Sequence, residues 1–256
     1  MLSVCLSTHP GTVRTANEDS AIWDRALSFV AVADGMGGHN AGGVASKLAL
    51  EAVAAFLDTS AGSDDFTWPF GIDPTASLNA NRLSTAVKLA NQRVFRASEE
   101  RDEYTGMGTT LVVALARDNH LTFANVGDSR LYTMQHGVLR QISRDDSWVA
   151  MLAQESGREP SSFHESPLRN VLTNAVGGRP TVGVALGEFE LADGQLILLC
   201  TDGLHGGVPD DQMADILRAE TDLQRAADAL VQTAVTQDGH DNVTVVLGRY
   251  SPPPSG

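Results

Sequence analysis

The sequence predicts an α+β fold, a four-layer αββα sandwich with two antiparallel β-sheets face to face and pairs of antiparallel helices outside. Three observations predict it. Two runs, residues 29–33 and 196–200, are apolar almost throughout, as strands covered on both faces are. Segments with apolar residues at helical spacing come in pairs. Connectors such as Asp118-Asn119-His120 and Gln135-His136-Gly137 have hairpin length.

In chain order, residues 4–8 read as a strand and 29–33 as a second, after which the chain is expected to turn on Gly35. The first helix is marked by Ala45, Leu48, Ala49, Ala52, Val53 and Phe56 on one face. A polar, aromatic loop follows, and a second helix covers 76–98 with Leu83, Ala86, Val87, Ala90, Val94 and Ala97 inward. Strands at 110–116, 121–126, 130–135 and 138–142 read as one antiparallel meander. Residues 144–180 are irregular apart from a helix over 148–155 and are expected to form a surface flap. Residues 196–200 are a core strand. Pro209 is expected in the first turn of a helix, where a missing N–H costs nothing. Leu223, Ala226, Ala227, Leu230 and Ala234 mark another, and residues 242–250 close with a strand. The tail, 251–256, is Pro-rich and expected to be disordered.

With 256 residues and no linker-like stretch, residues 1–250 read as one domain. A domain of this size buries roughly 70–75% of its unfolded surface, so it needs no disulfide staple. Cys5 and Cys200 both sit in apolar runs and read as buried free thiols. The N-terminus lacks a basic, then apolar, leader, and no run approaches the ~20 apolar residues of a membrane span. A cytoplasmic protein is the default expectation, as is a monomer. The net charge of −14 argues against nucleic acid, whose binding needs Lys and Arg against phosphate. It leaves room for a phosphorylated substrate where local positive charge overrides the distant field.

An apolar strand has no reason of its own to end in an acid, yet two do: Asp34-Gly35 after residues 29–33, and Asp202-Gly203 after Thr201. Asp19, Asp128 and Asp241 stand at comparable turns beside Gly, Asn or Ser. Any one of them could simply bond its own backbone. As a set they are harder to dismiss, because buried carboxylates need partners and Lys and Arg are scarce nearby. Oxygen-only ligands suit Mg²⁺ or Mn²⁺, and no Cys/His cluster has zinc spacing. Two such ions sharing a carboxylate would acidify a water for in-line attack on phosphorus. Arg14, five residues before Asp19, has a fork that matches two phosphate oxygens.

Six motifs then stand in order from residue 14 to 246: R-T-A-N-E-D, V-A-D-G-M-G-G-H, G-M-G-T-T, N-V-G-D-S-R, C-T-D-G and D-N-V-T-V-V. With them the chain resembles bacterial members of the metal-dependent serine/threonine protein phosphatase family, the type 2C or PPM group. The resemblance implies hydrolysis of phosphoserine and phosphothreonine on proteins by a metal-bridged hydroxide, with a Mn²⁺ or Mg²⁺ pair at one end of the sandwich. It implies that Asp34 bridges both ions and the Gly35 carbonyl ligates the first. Asp202 and Asp241 complete the second. Glu18 and Asp19 act near the first, and Asp128 with Asp202 forms a weaker third site. Arg14 holds the phosphate, and a serine/threonine kinase or its targets are the implied partners in signalling. Two departures stand out. Met36 occupies the place where relatives carry a general-acid histidine, which leaves that role to water or to His39; His205 and His240, flanking the other ligand segments, read as surface residues. Asp145-Asp146-Ser147 replaces the common Asp-His-Ser at the start of the flap, where it could alter metal or substrate preference. Readings from other classes are an inactive partner-binding module, a nuclease or cyclic-nucleotide esterase, and a phosphatase dedicated to one phosphoprotein. The presence of Asp34, Asp202 and Asp241 opposes the first, charge and motif order oppose the second, and the sequence is silent on the third.

Overall fold

The computed structural model describes residues 1–38, 41–62, 67–158, 160–163, 166–168 and 170–252. Its strands are β1 (Leu2–His9), β2 (Asp19–Asp24), β3 (Phe29–Met36), β4 (Gly108–Thr109), β5 (Leu111–Arg117), β6 (His120–Val126), β7 (Arg130–Gln135), β8 (Val138–Gln141), β9 (Ala185–Glu190), β10 (Leu196–Cys200) and β11 (Val243–Tyr250). Its α-helices are α1 (Ala41–Ala61), α2 (Leu78–Glu100), α3 (Trp148–Ser156), α4 (Asp202–His205), α5 (Asp210–Ala219) and α6 (Leu223–Gln237). One sheet runs β1-β11-β10-β7-β8 and the other β2-β3-β5-β6-β9, with β4 paired to β3; all pairings are antiparallel.

Strand alternation makes the four layers. In β3, Phe29, Ala31 and Ala33 pack with α1 and α2, while Val30 and Val32 face the other sheet. In β10, Leu196, Leu198 and Cys200 pack with α4, α5 and α6, while Ile197 and Leu199 point back between the sheets. A strand apolar on both faces is what this burial requires.

The helices form where their periodicity predicts. Ser77 caps α2 by accepting from the Ala80 N–H, Ser147 caps α3, and Asp222 caps α6. Pro209 is the residue before the helix rather than its first turn. β3 runs past Asp34 to Met36, with Gly35 opposite Thr109, so the expected turn at Gly35 falls instead at Gly37, with φ 154°.

The expected meander is two hairpins in different sheets. β5 and β6 pair in one and β7 and β8 in the other. Three extended residues reach about 10 Å, which matches the spacing of packed sheets. Residues 127–129 therefore suffice to cross over, starting from Gly127 at φ 94°. Three strands gave no signal. β4 is two residues long, and β2 and β9 are outermost in their sheet, partly exposed, and lack clean alternation. The described flap carries α3 and two isolated bridges, Ser147 to Leu172 and Thr109 to Val176. Of the tail expected to be disordered, residues 253–256 lie outside the described residues.

Candidate metal centre

The alternation that builds the core also delivers the acids. After Val30 and Val32, the next residue on the inter-sheet face of β3 is Asp34. Its cross-strand partner on β2 is Asp19. Directly opposed residues of an antiparallel pair hold their Cβ atoms about 5 Å apart, where like charges repel. Across the slot, β10 runs from Ile197 and Leu199 to Thr201, whose hydroxyl donates to Asp19 Oδ2 at 2.8 Å and accepts from the Thr244 N–H at 3.0 Å. Asp202 follows as the first residue of α4. Two strand ends from two sheets thus meet at one end of the sandwich.

Backbone contacts hold Asp34 firmly. Its N–H donates to Thr110 Oγ1 at 3.0 Å, and its carbonyl accepts from the Thr110 N–H at 2.9 Å and from Thr109 Oγ1 at 2.8 Å. The G-M-G-T-T motif therefore serves to pin this strand. The glycines after the acids have the expected reason. A Cβ on Gly35 would lie 2.0 Å from the Gly42 carbonyl oxygen in the first turn of α1, and one on Gly203 would lie 2.0 Å from the Asn242 carbonyl oxygen. Neither position admits a side chain. The Cβ position of Gly42 is also 2.6 Å from the Gly35 carbonyl oxygen and 2.8 Å from Glu18 Oε1, so two candidate oxygen ligands meet there.

A cleft of about 510 Å³ opens over these groups. Its lining includes Arg14, Glu18, Asp34, Gly35, Asp128, Asp202 and Asp241. Asp19 lies beneath, 8% exposed. Arg14 stands at the rim, with Nη2 donating to Asp241 Oδ2 at 2.9 Å; that bond and Asp241's charge raise its pKa and secure its positive charge. Asn242, the second residue of the D-N-V-T-V-V motif, is the clamp of this rim. It accepts from the Glu18 N–H at 2.8 Å and donates to the carbonyls of Pro10 and Ala16 at 2.9 and 3.0 Å. Only the long-range fold could disclose that role.

The histidines sort differently from expectation. His205 is no surface residue: it is partly buried behind the cleft, its Nε2 3.0 Å from the Asp128 carbonyl oxygen, and desolvation with Arg130 nearby lowers its pKa to about 4. It stays neutral and donates to that carbonyl. His240 is exposed and turned to Asp238 at 2.5 Å. His39 lies outside the described residues. Met36 lines the cleft, as do Leu172, Thr173, Asn174 and Arg179 from the far arm of the flap. Asp145, at the departure from Asp-His-Ser, is not in the cleft; Arg130 grips it from β7.

The electrostatics of the acids are those of a site built for cations. Burial, then the charge of Asp202, pushes Asp34 well above the usual carboxylate range; burial also raises Asp202. Burial raises Asp19 and Asp128 to about 7. Asp19 Oδ1 and Asp202 Oδ1 are buried with no partner among the described residues. Such orphaned charge is costly unless a cation answers it. Among the described residues, no three acids, histidines or cysteines stand close enough to enclose one ion by themselves. Mg²⁺ and Mn²⁺ keep several waters and take one or two carboxylates each. The donor set is oxygen throughout, so the residues fit such ions.

A compact αββα sandwich with a carboxylate-lined cleft at one end and an arginine at its rim defines a metal-dependent hydrolase of anionic esters. The comparisons with known proteins are specific: the family model described as Protein phosphatase 2C matches residues 13–244, and the chain belongs to that family. It is 36% identical over 252 residues to the serine/threonine phosphatase stp of Listeria monocytogenes, covering 94% of this chain and 92% of that protein. It is 35% identical over 237 residues to the serine/threonine protein phosphatase PstP of Mycobacterium tuberculosis, covering 93% of this chain and 43% of that longer protein. Among solved structures, the catalytic domain of PstP in complex with two manganese ions superposes with a TM-score of 0.82 at 33% identity, covering 98% of each chain.

Proposed function

We propose that the chain hydrolyses phosphoserine and phosphothreonine on proteins, with Mn²⁺ or Mg²⁺ as its cofactor. It is a metal-dependent protein serine/threonine phosphatase. The observation that carries the reading is the group of acids around Asp34 and Asp202, two of whose oxygens are buried and satisfied by no described residue. We assign Asp34 to both ions, the Gly35 carbonyl and Glu18 to the first, Asp202 and Asp241 to the second, and Asp128 with Asp202 to a weaker third. Asp19 acts beneath the first from its bond to Thr201. When bound, the ions supply Lewis acidity and a water acidified for attack on phosphorus.

The protein's own part is positioning and charge. Arg14 lets go of Asp241 and presents its fork to two phosphate oxygens; its raised pKa means that it arrives charged at any physiological pH. Asn242 keeps the Arg14 and Glu18 backbone in register with Asp241 through bonds to both arms of the loop. Thr109 and Thr110 keep the Asp34 backbone from shifting as charge builds above it. Such preorganisation spares reorganisation at the moment of reaction.

We assign residues 1–250 to one phosphatase domain with a flap at 144–180, and place the protein in the cytoplasm as a monomer acting on a serine/threonine kinase or its targets. Among the described residues, no helix is long and apolar enough to cross a membrane. The direct test is turnover of a phosphothreonine peptide across Mn²⁺, Mg²⁺, Ca²⁺ and chelator. Turnover with Mn²⁺ or Mg²⁺ that chelator abolishes is expected; turnover indifferent to chelator would overturn the assignment.

A further inference from the structure

Asp146 stands where many relatives carry histidine, and the chemistry described so far does not use it. Its surroundings are specific. Gly127 N–H donates to Asp146 Oδ2 at 3.2 Å, and Asp146 N–H donates back to the Gly127 carbonyl at 2.8 Å. Gly127 is the turn immediately before Asp128. On the other side, Asn174 Nδ2 donates to the same Oδ2 at 2.8 Å, and Thr173 N–H donates to the Asp146 carbonyl at 2.8 Å. Asp146 itself does not line the cleft, whereas Thr173 and Asn174 do. One half-buried carboxylate therefore joins the first residues of the flap, its returning arm and the turn between the sheets. A histidine could not accept from both donors on a single oxygen.

We propose that Asp146 is a positioning residue for protein substrates: it sets where the returning arm, residues 170–179, stands beside the phosphate end of the cleft. The arm extends the cleft through Leu172, Thr173, Asn174, Ala175 and Arg179. A phosphopeptide must run along these groups, whereas an aryl phosphate needs only the metal end and Arg14. Loosening the arm then weakens the long substrate and spares the short one, since orientation is lost only where the arm supplies it.

This inference rests on the phosphatase reading, and the experiment separates the two. Wild type, Asp146→Ala and Asp146→Asn are compared at saturating Mn²⁺ on a phosphothreonine peptide and on an aryl phosphate. Wild-type turnover of both carries the functional reading; the ratio between substrates in the variants carries the proposal. Asp146→Ala is expected to raise KM for the peptide about tenfold, the size of losing a hydrogen bond to a charged acceptor, while kcat/KM for the aryl phosphate stays within about twofold. Asp146→Asn keeps an acceptor oxygen and is expected to recover part of the peptide KM. Amide hydrogen exchange over residues 170–179 is expected to quicken in Asp146→Ala. Equal losses on both substrates, or no change on either, overturn the proposal. Should Asp146→Ala fail to fold, the isosteric Asp146→Asn decides by itself: a peptide KM unchanged from wild type overturns it.

Discussion

Asp145 and Asp34 are both carboxylates set into the end of the sandwich, and the protein treats them in opposite ways. Around Asp145 everything is matched. Arg130 Nε donates to Oδ1 at 3.0 Å, Arg130 Nη2 to Oδ2 at 2.8 Å, and Gln141 Nε2 to Oδ1 at 2.9 Å. Arg130 passes a further bond at 2.8 Å to the Tyr132 hydroxyl, which donates to Asp210 at 3.2 Å. Burial works against the Arg130 charge, but Asp145 more than offsets it and the pKa rises. Around Asp34 the near neighbours are more acids, Asp202 and Asp19, whose charges add to burial in raising its pKa. A carboxylate that the fold pairs holds the fold together. One left among its own kind awaits a guest. The two sets are neighbours: Asp128 stands two residues before Arg130, and His205, bonded to the Asp128 carbonyl, feels the Arg130 charge.

The sharpest way to break this contrast is to neutralise an acid on each side. Asp34→Asn and Asp202→Asn are each expected to cut Mn²⁺-dependent turnover of a phosphothreonine peptide by more than about 100-fold, exceeding the usual effect of a residue that only supports a ligand. Neither should lower the melting temperature in chelator, because each removes an ionisable group from a set of acids that raise one another's pKa. Full activity of Asp202→Asn with Mn²⁺ would sink the metal assignment.

On the matched side the expectation reverses. Arg130→Ala leaves Asp145 charged and largely buried, at 12% side-chain exposure. It is expected to cost about 3 kcal/mol of stability, read from a urea midpoint, as for other broken buried pairs. Similar midpoints for Arg130→Ala and wild type would show that the pair is not structural.

A smaller effect lies at the rim. Arg14→Lys keeps the charge but loses the planar fork, so peptide KM is expected to rise about tenfold with the thermal midpoint unmoved. A KM equal to wild type would remove Arg14 from phosphate binding.

Proton linkage gives the gentlest test. Asp19 and Asp128 titrate near 7 in the folded chain against an ordinary 3.8. Between those values the folded state holds protons that the unfolded state releases, so this contribution to stability falls as pH rises from about 4 to about 7. In chelator the melting temperature is expected to drop across that window, and added Mn²⁺ should restore most at its upper end, where no proton competes. A chelator-treated protein whose midpoint rises steadily through the window would contradict the raised pKa values.

Much of the site was readable along the chain because its residues advertise themselves: an acid closing an apolar strand, followed by a glycine, is locally unreasonable and so points outward. Asp34, Asp202 and their glycines were legible on that ground. Asp145 and Asp146 look no different in sequence from Asp128, yet one is gripped by Arg130, one ties the flap to a turn, and one lines the cleft. The crossover at residues 127–129 read as an ordinary hairpin because a three-residue link looks alike whether it returns along one sheet or jumps to the next.

Short apolar runs bounded by turn residues determined most of the strands, helical spacing determined most of the helices, and the order of the motifs determined the family. These signals are local, since each depends on how one segment divides its faces between core and solvent. Tertiary structure alone decided which carboxylates are paired and which are not. That distinction depends on the neighbours a side chain meets from segments up to 227 residues away, as Arg14 meets Asp241.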